Sequence, residues 1–486
     1  MNDKRKLLGI LVIGLFFLTF AYKLGFIWAH DHDLYAWIAK DIIVNHHWRL
    51  VGQVTSVDGV FIGGFYYYLM ALMFWLSKMN PMSAIFATST IGLVSIWSIY
   101  FVIKEFWGKR AALIGAFLWA TTSGIALYQR WSVPTQPAIL WSIWFLYVMF
   151  KAIKGDKSII VLYGFLLGMV YHVHIALLPI LPLPAIAYLL SGGTLVEKFK
   201  NIKFKEYFLC FLMFFVFSSP FWLFEIKHNW SQIRSTLAAM NIDKGGPTGK
   251  MKLFKIENAV GREMQSRLVV GWETYKVEYV WIVFFAAIIY LWKRKRLSNK
   301  QIIFIMIWIA LISLAQFTSK RTVSEYYFTN MVPIFFLVFA LSFEDLIKNK
   351  WIMGIVLVGY LIINSIWLKK YTNLRDGYKQ KEQAVDYIIA DAKSKKYPCI
   401  SINYIAKYGD GVGFRYLFWY KGMKVVKTNP GIPQYDLVIP FAQSDSLLTA
   451  KYGLIGVIKD KKNLKVDPRL CEDKSLVLDP LLGYTE

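Results

Sequence analysis

The stretch LLGILVIGLFFLTFAYKLGFIW, residues Leu7–Trp28, decides the fold. It is uncharged except for Lys23, and about 20 such residues span the hydrocarbon core of a bilayer. The run is too long for the apolar core of a secretory signal peptide, and no small-residue cleavage site follows it. It therefore predicts a first membrane-spanning helix.

Ten further apolar stretches follow, separated by short islands of charge. The chain of 486 residues is 56% hydrophobic and only 18% charged, whereas a soluble domain averages about 25% charged residues. We therefore predict an α-helical polytopic membrane protein with about 11 spans. The predicted spans are Leu7–Trp28, Ala84–Ile103, Ala111–Tyr128, Val133–Phe150, Ile159–Val170, Ala176–Leu190, Tyr207–Trp222, Tyr279–Trp292, Ile302–Phe317, Tyr326–Phe343 and Trp351–Leu368.

Loop charge decides the topology and the status of a twelfth apolar stretch, Phe61–Leu76. If this stretch does not cross, the short cytoplasmic loops hold 17 Lys and Arg residues and the short outside loops hold three. If it crosses, the ratio inverts, against the positive-inside rule. We therefore expect an interfacial helix here, a cytoplasmic N-terminus and an extracytoplasmic C-terminus. The same loops account for much of the net charge of +25, so we expect no nucleic-acid partner.

This topology predicts a transmembrane domain over residues 1–368 and a small soluble α/β domain over residues 369–486. The first outside loop covers residues 29–83 and the second covers residues 225–278. In the tail, Glu382–Lys396 has helical spacing, and short apolar runs broken by Gly and Pro predict strands. A disulfide between Cys399 and Cys471 stays open, because nothing in their spacing demands it.

The first outside loop opens with DHDLYAWIA, residues 31–39. Two carboxylates and a histidine at the mouth of a helix bundle suit a general base or a cation site. The alternative is a solvated loop start in which Asp33 is a helix N-cap. An apolar stripe of Ile38, Ile42 and Ile43 follows and predicts a short amphipathic helix in the membrane interface.

These residues resemble the opening of the GT-C glycosyltransferases, in the branch of protein O-mannosyltransferases and bacterial lipid A aminoarabinose transferases. Asp31, Tyr35 and Ala39 match its DExxYxxxA pattern. Three more segments resemble motifs of the family in the expected order, and the resemblance covers about residues 1–370. They are GVFIGGFYYYLMAL (Gly59–Leu72), YHVHIALLP (Tyr171–Pro179) and EYYFTNMVPI (Glu325–Ile334). The sequence departs from the family at His32, which replaces a Glu, and at Gly64, which replaces a Pro.

The resemblance implies an inverting transfer of a sugar from a polyprenyl-phosphate carrier to a hydroxyl of a lipid, glycan or protein acceptor. The reaction would take place on the outer face of the cytoplasmic membrane, in contact with membrane lipids. Asp31 is the expected general base, and a divalent metal stays open. The expected substrate-binding residues are Asp33, Tyr35, Asp58, Arg130, His174, Arg321, Glu325 and Tyr326. Asp58 is included as a substitute for an acid that the loop Arg130–Ala138 lacks.

Several of these residues have a second interpretation. Arg130 could only snorkel at a helix end, and Lys320 with Arg321 could be an ordinary loop pair. Glu325 and Tyr326 could belong to an interfacial aromatic belt. Two histidines, His172 and His174, cannot share one helical face at this spacing, so we expect only His174 to face the site.

Two other classes of function compete with a transferase. A transporter or flippase of lipid-linked saccharides predicts inverted repeats and broken helices in matching positions. The sequence shows neither, and charged residues within the predicted spans are scarce, which disfavours an ion-coupled pathway. A membrane scaffold whose role lies in the C-terminal domain would leave the polar first loop unexplained.

Overall fold

A computed structural model describes most of the chain. The described residues are 3–55, 57–194, 197–198, 202–241, 246–268, 277–319, 322–406, 413–441, 447–459 and 464–478. The α-helices of the membrane region are α1 (Asp3–Thr19), α2 (His30–Val44), α3 (Phe65–Leu76), α4 (Ser83–Thr121), α5 (Ser123–Arg130), α6 (Ala138–Ile153), α7 (Ile160–Val173), α8 (Leu183–Leu189), α9 (Phe204–Lys227), α10 (Ser231–Asn241), α11 (Gly249–Leu268), α12 (Val277–Lys293), α13 (Asn299–Thr318), α14 (Val332–Leu346) and α15 (Lys350–Tyr371).

Each predicted span overlaps helical structure, and five helical segments in the described chain are long and apolar enough to cross a membrane. The 39-residue α4 holds the predicted span Ala84–Ile103 and most of Ala111–Tyr128, which ends in α5. Gly108 (φ 85°, ψ 177°) interrupts α4 at the predicted cytoplasmic loop between them. Such a positive φ favours glycine. The predicted span Ala176–Leu190 is a 3₁₀ segment, Ile175–Ile180, followed by α8.

The first span is shorter than its sequence predicts. Helix α1 ends at Thr19 rather than at Trp28, and Ala21 has a positive φ of 48°. Apolar composition alone carried the prediction nine residues too far, since Phe26 and Trp28 are buried in protein rather than in lipid. Asp31 therefore does not follow the first span directly. It lies in the first turn of the separate helix α2.

The stretch Phe61–Leu76 consists of a short strand and the 12-residue helix α3. At 1.5 Å per residue, α3 is about 18 Å long, well short of the roughly 30 Å hydrocarbon core. Its buried face includes Tyr66, Tyr67 and Phe74. Strands β1 (Val51–Val54) and β2 (Phe61–Gly63) pair as an antiparallel hairpin that precedes it.

The tail forms an α/β unit with a five-stranded sheet in the order β4-β3-β5-β7-β6. Strand β3 pairs in parallel with β4 and β5, and β7 pairs antiparallel with β5 and β6. A disulfide joins Cys399 and Cys471, whose Cα atoms are 5.8 Å apart. The elements are β3 (Ile400–Ala406), β4 (Val425–Val426), β5 (Gln434–Ile439), β6 (Ala450–Tyr452), β7 (Ile455–Lys459), α16 (Tyr378–Ser394), α17 (Arg415–Tyr420) and α18 (Pro468–Glu472).

Two hydrophobic cores organise the molecule. One lies among the membrane helices. The other is shared between the first outside loop and the tail, since Tyr35 and Phe74 pack in one cluster with Ile388, Tyr416 and Leu437. The tail is thus packed onto α2 and α3, and this contact fixes the loop that carries Asp31.

Candidate active site

A cavity of about 460 Å³ lies between the first outside loop and the ends of several membrane helices. The β1–β2 hairpin forms one wall, the turn after α5 forms a second, and the ends of α7 and α13 complete it. Of the residues predicted from sequence, the cavity brings together three, which are Asp31, His174 and Tyr326.

Asp31 occupies the first turn of α2, where free backbone N–H groups favour a carboxylate. The neighbouring residue fixes the start of this helix, because the N–H of Ala29 donates to His32 Nδ1 at 3.2 Å. His32 is fully buried, and burial lowers its pKa to about 3, with a smaller contribution from Lys381. The residue that replaces the family's Glu is therefore a neutral capping group.

Asp33 lies on the far side of α2 from the cavity. Its Oδ1 accepts the backbone N–H of Tyr416 at 3.0 Å, so it joins α2 to α17 in the tail. Burial raises the pKa of Asp33 to about 6, against the opposing effects of that N–H, Lys381 and Arg415. The alternative interpretation of Asp33 as an N-cap is wrong, since α2 begins at His30 with Ala29 as its N-cap.

Two other predicted residues also lie outside the cavity lining. Tyr35 is fully buried and its ring packs against those of Trp28, Tyr66 and Phe74. Asp58 is exposed on the turn between β1 and β2. It is absent from the residues that line the cavity, although its neighbours Val57 and Val60 are present.

His174 and two tyrosines form an aromatic corner of the cavity. The ring of His174 lies 5.7 Å from Tyr326 and 5.4 Å from Tyr327, and the Tyr326 hydroxyl donates to that of Tyr327 at 2.8 Å. The N–H of Ala176 donates to His174 Nδ1 at 3.0 Å. Burial lowers the pKa of His174 to about 4, so the ring is neutral at pH 7 and its proton lies on Nε2. His172 instead packs between helices, with Nε2 2.8 Å from the carbonyl of Phe217.

Arg130 ends helix α5 and is almost completely buried. None of its guanidinium nitrogens has a hydrogen-bond partner among the described residues. The guanidinium lies beside Gly25 and Thr372, since a Cβ on Gly25 would approach Arg130 Nη2 to 2.9 Å. Arg130 itself is not among the residues that line the cavity, but its neighbour Trp131 is. A buried cation without a partner is costly, so Arg130 is a candidate for binding an anion.

Other predicted residues fall outside what the structure describes. Lys320 and Arg321 are not among the described residues, and for Glu325 only the backbone is described, at the start of the 3₁₀ segment Glu325–Met331. In the described part of the chain, no three His, Cys, Asp or Glu side chains cluster in a way that could hold a metal ion.

The cavity also contains residues that the sequence did not indicate. Gln53 and Gln316 line it, and Arg267 packs over the ring of Tyr128, another lining residue, at 4.4 Å. Arg267 is paired with the buried Glu263 through two bonds of 3.0 and 3.2 Å. Their i, i+4 spacing on α11 was the available signal, but nothing local indicated that α11 packs beside the cavity.

The chain is similar to known glycosyltransferases in sequence over residues 65–224 and in fold over most of its length. Residues 65–224 match the family described as dolichyl-phosphate-mannose-protein mannosyltransferase. The structure of ArnT from Cupriavidus metallidurans bound to undecaprenyl phosphate superposes with a TM-score of 0.62 at 11% identity, over 95% of this chain and 99% of that one. The chain has the GT-C fold. This confirms the predicted fold class and resemblance, and with the family match it confirms the predicted enzyme class, a membrane glycosyltransferase.

Two further solved structures are similar to this chain. The apo structure of the same ArnT also gives a TM-score of 0.62, at 10% identity over 93% of this chain and 97% of that one. The archaeal oligosaccharyltransferase AglB from Archaeoglobus fulgidus gives 0.43, at 14% identity over 89% of this chain and 69% of that one. A comparison of the sequence with curated proteins finds no match.

Proposed function

We propose that this GT-C protein transfers a sugar from a polyprenyl-phosphate carrier to an acceptor hydroxyl, with inversion and with Asp31 as general base. The observation that carries the proposal is the position of Asp31, a carboxylate in the first turn of α2 that faces the cavity beside His174 and Tyr326. The ArnT structure with the same fold is bound to undecaprenyl phosphate, which supports a lipid-phosphate donor.

The chemistry needs few groups. A lipid phosphate is already a good leaving group, so protonating it contributes little. The acceptor hydroxyl must lose its proton as it attacks the anomeric carbon, and a positioned carboxylate serves this step. Direct attack on the face opposite the phosphate inverts the anomeric centre. One carboxylate is therefore sufficient, and Asp31 is the only carboxylate among the described residues that line the cavity.

The departing phosphate needs positive charge, and Arg130 is the proposed partner. Arg267 is already paired with Glu263, whereas every guanidinium nitrogen of Arg130 lacks a partner within the described chain. Anion binding would offset the desolvation of this cation, while a snorkelling arginine would reach water instead. Arg321 remains a second proposed partner.

We also propose that the cavity faces the outside of the cytoplasmic membrane, with the N-terminus inside. The loop charges support this orientation. The Cys399–Cys471 disulfide also supports it, because such bonds persist in oxidising compartments. An alkaline phosphatase reporter fused after Lys369 should be active, and an inactive fusion beside an active cytoplasmic reporter would contradict the orientation.

Transfer by the purified protein tests the proposal. The protein in detergent would receive a polyprenyl-phosphate sugar and a cell-envelope extract, and mass spectrometry would follow the free lipid phosphate and the glycosylated product. We expect both to form together. A transporter would leave the donor intact in detergent and would only move it across sealed vesicles, which would overturn the proposal.

A further inference from the structure

Uncharged hydrogen-bonding groups without protein partners face the cavity. The Oε1 atom of Gln53 is buried and accepts no hydrogen bond from the described residues. The amide of Gln316 lines the cavity and, within the same part of the chain, makes no hydrogen bond. His174 presents Nε2–H, because its Nδ1 is occupied by the N–H of Ala176. A buried polar group is normally paired, so the Gln53 oxygen is poised to bind a ligand's hydroxyl group. Gln316 and His174 offer further hydrogen-bonding groups to the same space.

The charge balance of the lining is equally specific. Among the described lining residues, Asp31 is the only carboxylate, and none is Lys or Arg. If Asp31 takes the acceptor's proton, an ammonium group on the sugar finds no second carboxylate among the described lining residues. A carboxylate on the sugar would find no cation among the described lining residues and would meet Asp31. Burying a charge without a partner is costly in either case.

The remaining surface suits the apolar side of a sugar ring. Tyr326, Tyr327 and Trp131 line the cavity, and aromatic faces pack against the C–H groups of a pyranose. A pocket of this kind combines apolar walls with a few polar groups that fix orientation. We propose that the cavity selects a neutral, hydroxyl-rich sugar over an amino sugar or a uronic acid, with Gln53, Gln316 and His174 reading its hydroxyl groups.

This inference rests on the proposed lipid-linked donor, and three matched donors test it. Polyprenyl phosphates would carry a neutral hexose, a 4-amino-4-deoxypentose or a hexuronic acid, so that the phosphate and lipid are constant. We expect kcat/KM for the neutral sugar to exceed that for either charged sugar by about tenfold or more. Equal or better transfer of a charged sugar would overturn the inference and leave the proposed function standing.

Donor binding without acceptor gives a second readout. A donor that binds the folded state raises the melting temperature, and we expect the neutral donor to do so at the lowest concentration. A charged donor that stabilises at a lower concentration would contradict the inference. If no donor binds or reacts, the proposed function fails and the inference fails with it.

A charge introduced into the lining sharpens the test. Gln316→Glu places a second carboxylate in the cavity, and we expect the ratio of amino-sugar to neutral-sugar transfer to rise about tenfold, since a nearby opposite charge is strongly attractive in a partly desolvated site. The matched control is Gln301→Glu on the same helix. The Gln301 side chain accepts the backbone N–H of Ser298 in a capping box, and a Glu side chain can accept the same hydrogen bond. An unchanged ratio in Gln316→Glu would show that Gln316 does not contact the sugar.

Discussion

The position of Asp33 illustrates how two neighbouring carboxylates acquire different roles. Asp31 faces the cavity, while Asp33, on the opposite face of α2, is buried against the backbone of Tyr416. Its pKa of about 6 in the folded protein lies above the ordinary value of 3.8. The folded state therefore binds a proton more readily between these two pH values, and stability falls as pH rises from about 4 to about 6.

Asp33→Asn should remove this pH dependence, because an amide oxygen still accepts the N–H of Tyr416 but does not ionise. We expect the melting temperature of the wild type, relative to the variant, to fall between pH 4 and pH 6, corresponding to up to about 3 kcal/mol. The lowered pKa of His32 makes stability rise with pH, but His32 is present in both proteins, so its effect cancels in the difference between them. Parallel melting curves across this range would contradict the prediction.

Replacing Arg130 should raise the stability of the protein and lower its transfer activity. Arg130→Met removes a buried, unpartnered cation and keeps most of the apolar volume, so we expect a higher melting temperature without donor. Donor-induced stabilisation should disappear and transfer should fall about 100-fold, as for loss of a charged group at a developing anion. Thermal shift with and without donor measures both effects.

The matched control for Arg130 is Arg267→Met. Arg267 is paired with Glu263, whose side chain is completely buried, so this change removes the ion-pair partner of a buried carboxylate and should destabilise the protein by about 3 kcal/mol. If Arg130→Met were destabilising in the same way and left transfer intact, Arg130 would be a structural residue rather than the phosphate partner.

At the scale of elements, helix α10 braces the hairpin that forms one cavity wall. Gln232 Oε1 accepts the N–H of Phe61 at 2.8 Å, and its amide donates to the Tyr171 hydroxyl at 3.4 Å. Glu225, fully buried, accepts the backbone N–H of Gln232 at 3.1 Å. The second outside loop thus holds the first loop in place.

Gln232→Leu should loosen this wall. We expect hydrogen exchange at the Phe61 amide to accelerate roughly fivefold to tenfold, as for the loss of one hydrogen bond of about 1 kcal/mol. The amide of Thr55 bonds to Val60 inside the hairpin and serves as the internal reference. Unchanged exchange at Phe61 would show that β1 and β2 hold their position without α10.

Much of the membrane region follows from local sequence, since a spanning helix needs only a sufficiently long apolar run. The motifs also predicted three residues that line one cavity, Asp31, His174 and Tyr326, because each lies at an outer helix end. The sequence did not predict Gln53, Gln316 and Arg267, because their place in or beside the cavity depends on contacts between distant segments. The start of α2 was misjudged for a local reason: His32, which is not a common capping residue, fixes it.

At the scale of the whole molecule, the tail and the first outside loop form one structural unit. Tyr416 packs against Trp28, Trp37 and Phe74, and its hydroxyl donates to the carbonyl of Met79 at 2.9 Å. The N–H of Tyr378 likewise donates to the carbonyl of Phe26. Removing the tail would expose this apolar surface and release α2.

A chain truncated after Tyr371 should therefore lose both its solubility in detergent and its activity. We expect it to aggregate on size-exclusion chromatography in detergent and to lack transfer activity, because large exposed apolar patches favour association. A monodisperse truncated protein with normal turnover would show that the tail contributes nothing to the site.

The central claim is that Asp31 is the general base, and turnover of Asp31→Asn tests it most directly. The change keeps size and hydrogen bonding but removes the proton acceptor, and we expect kcat to fall by about 10²–10⁴ with donor binding retained. Asp58→Asn, on the exposed turn of the hairpin, is the matched control and should transfer at nearly the wild-type rate. Near-normal turnover by Asp31→Asn, with Asp58→Asn or Asp33→Asn inactive, would contradict the account and move the base to another carboxylate.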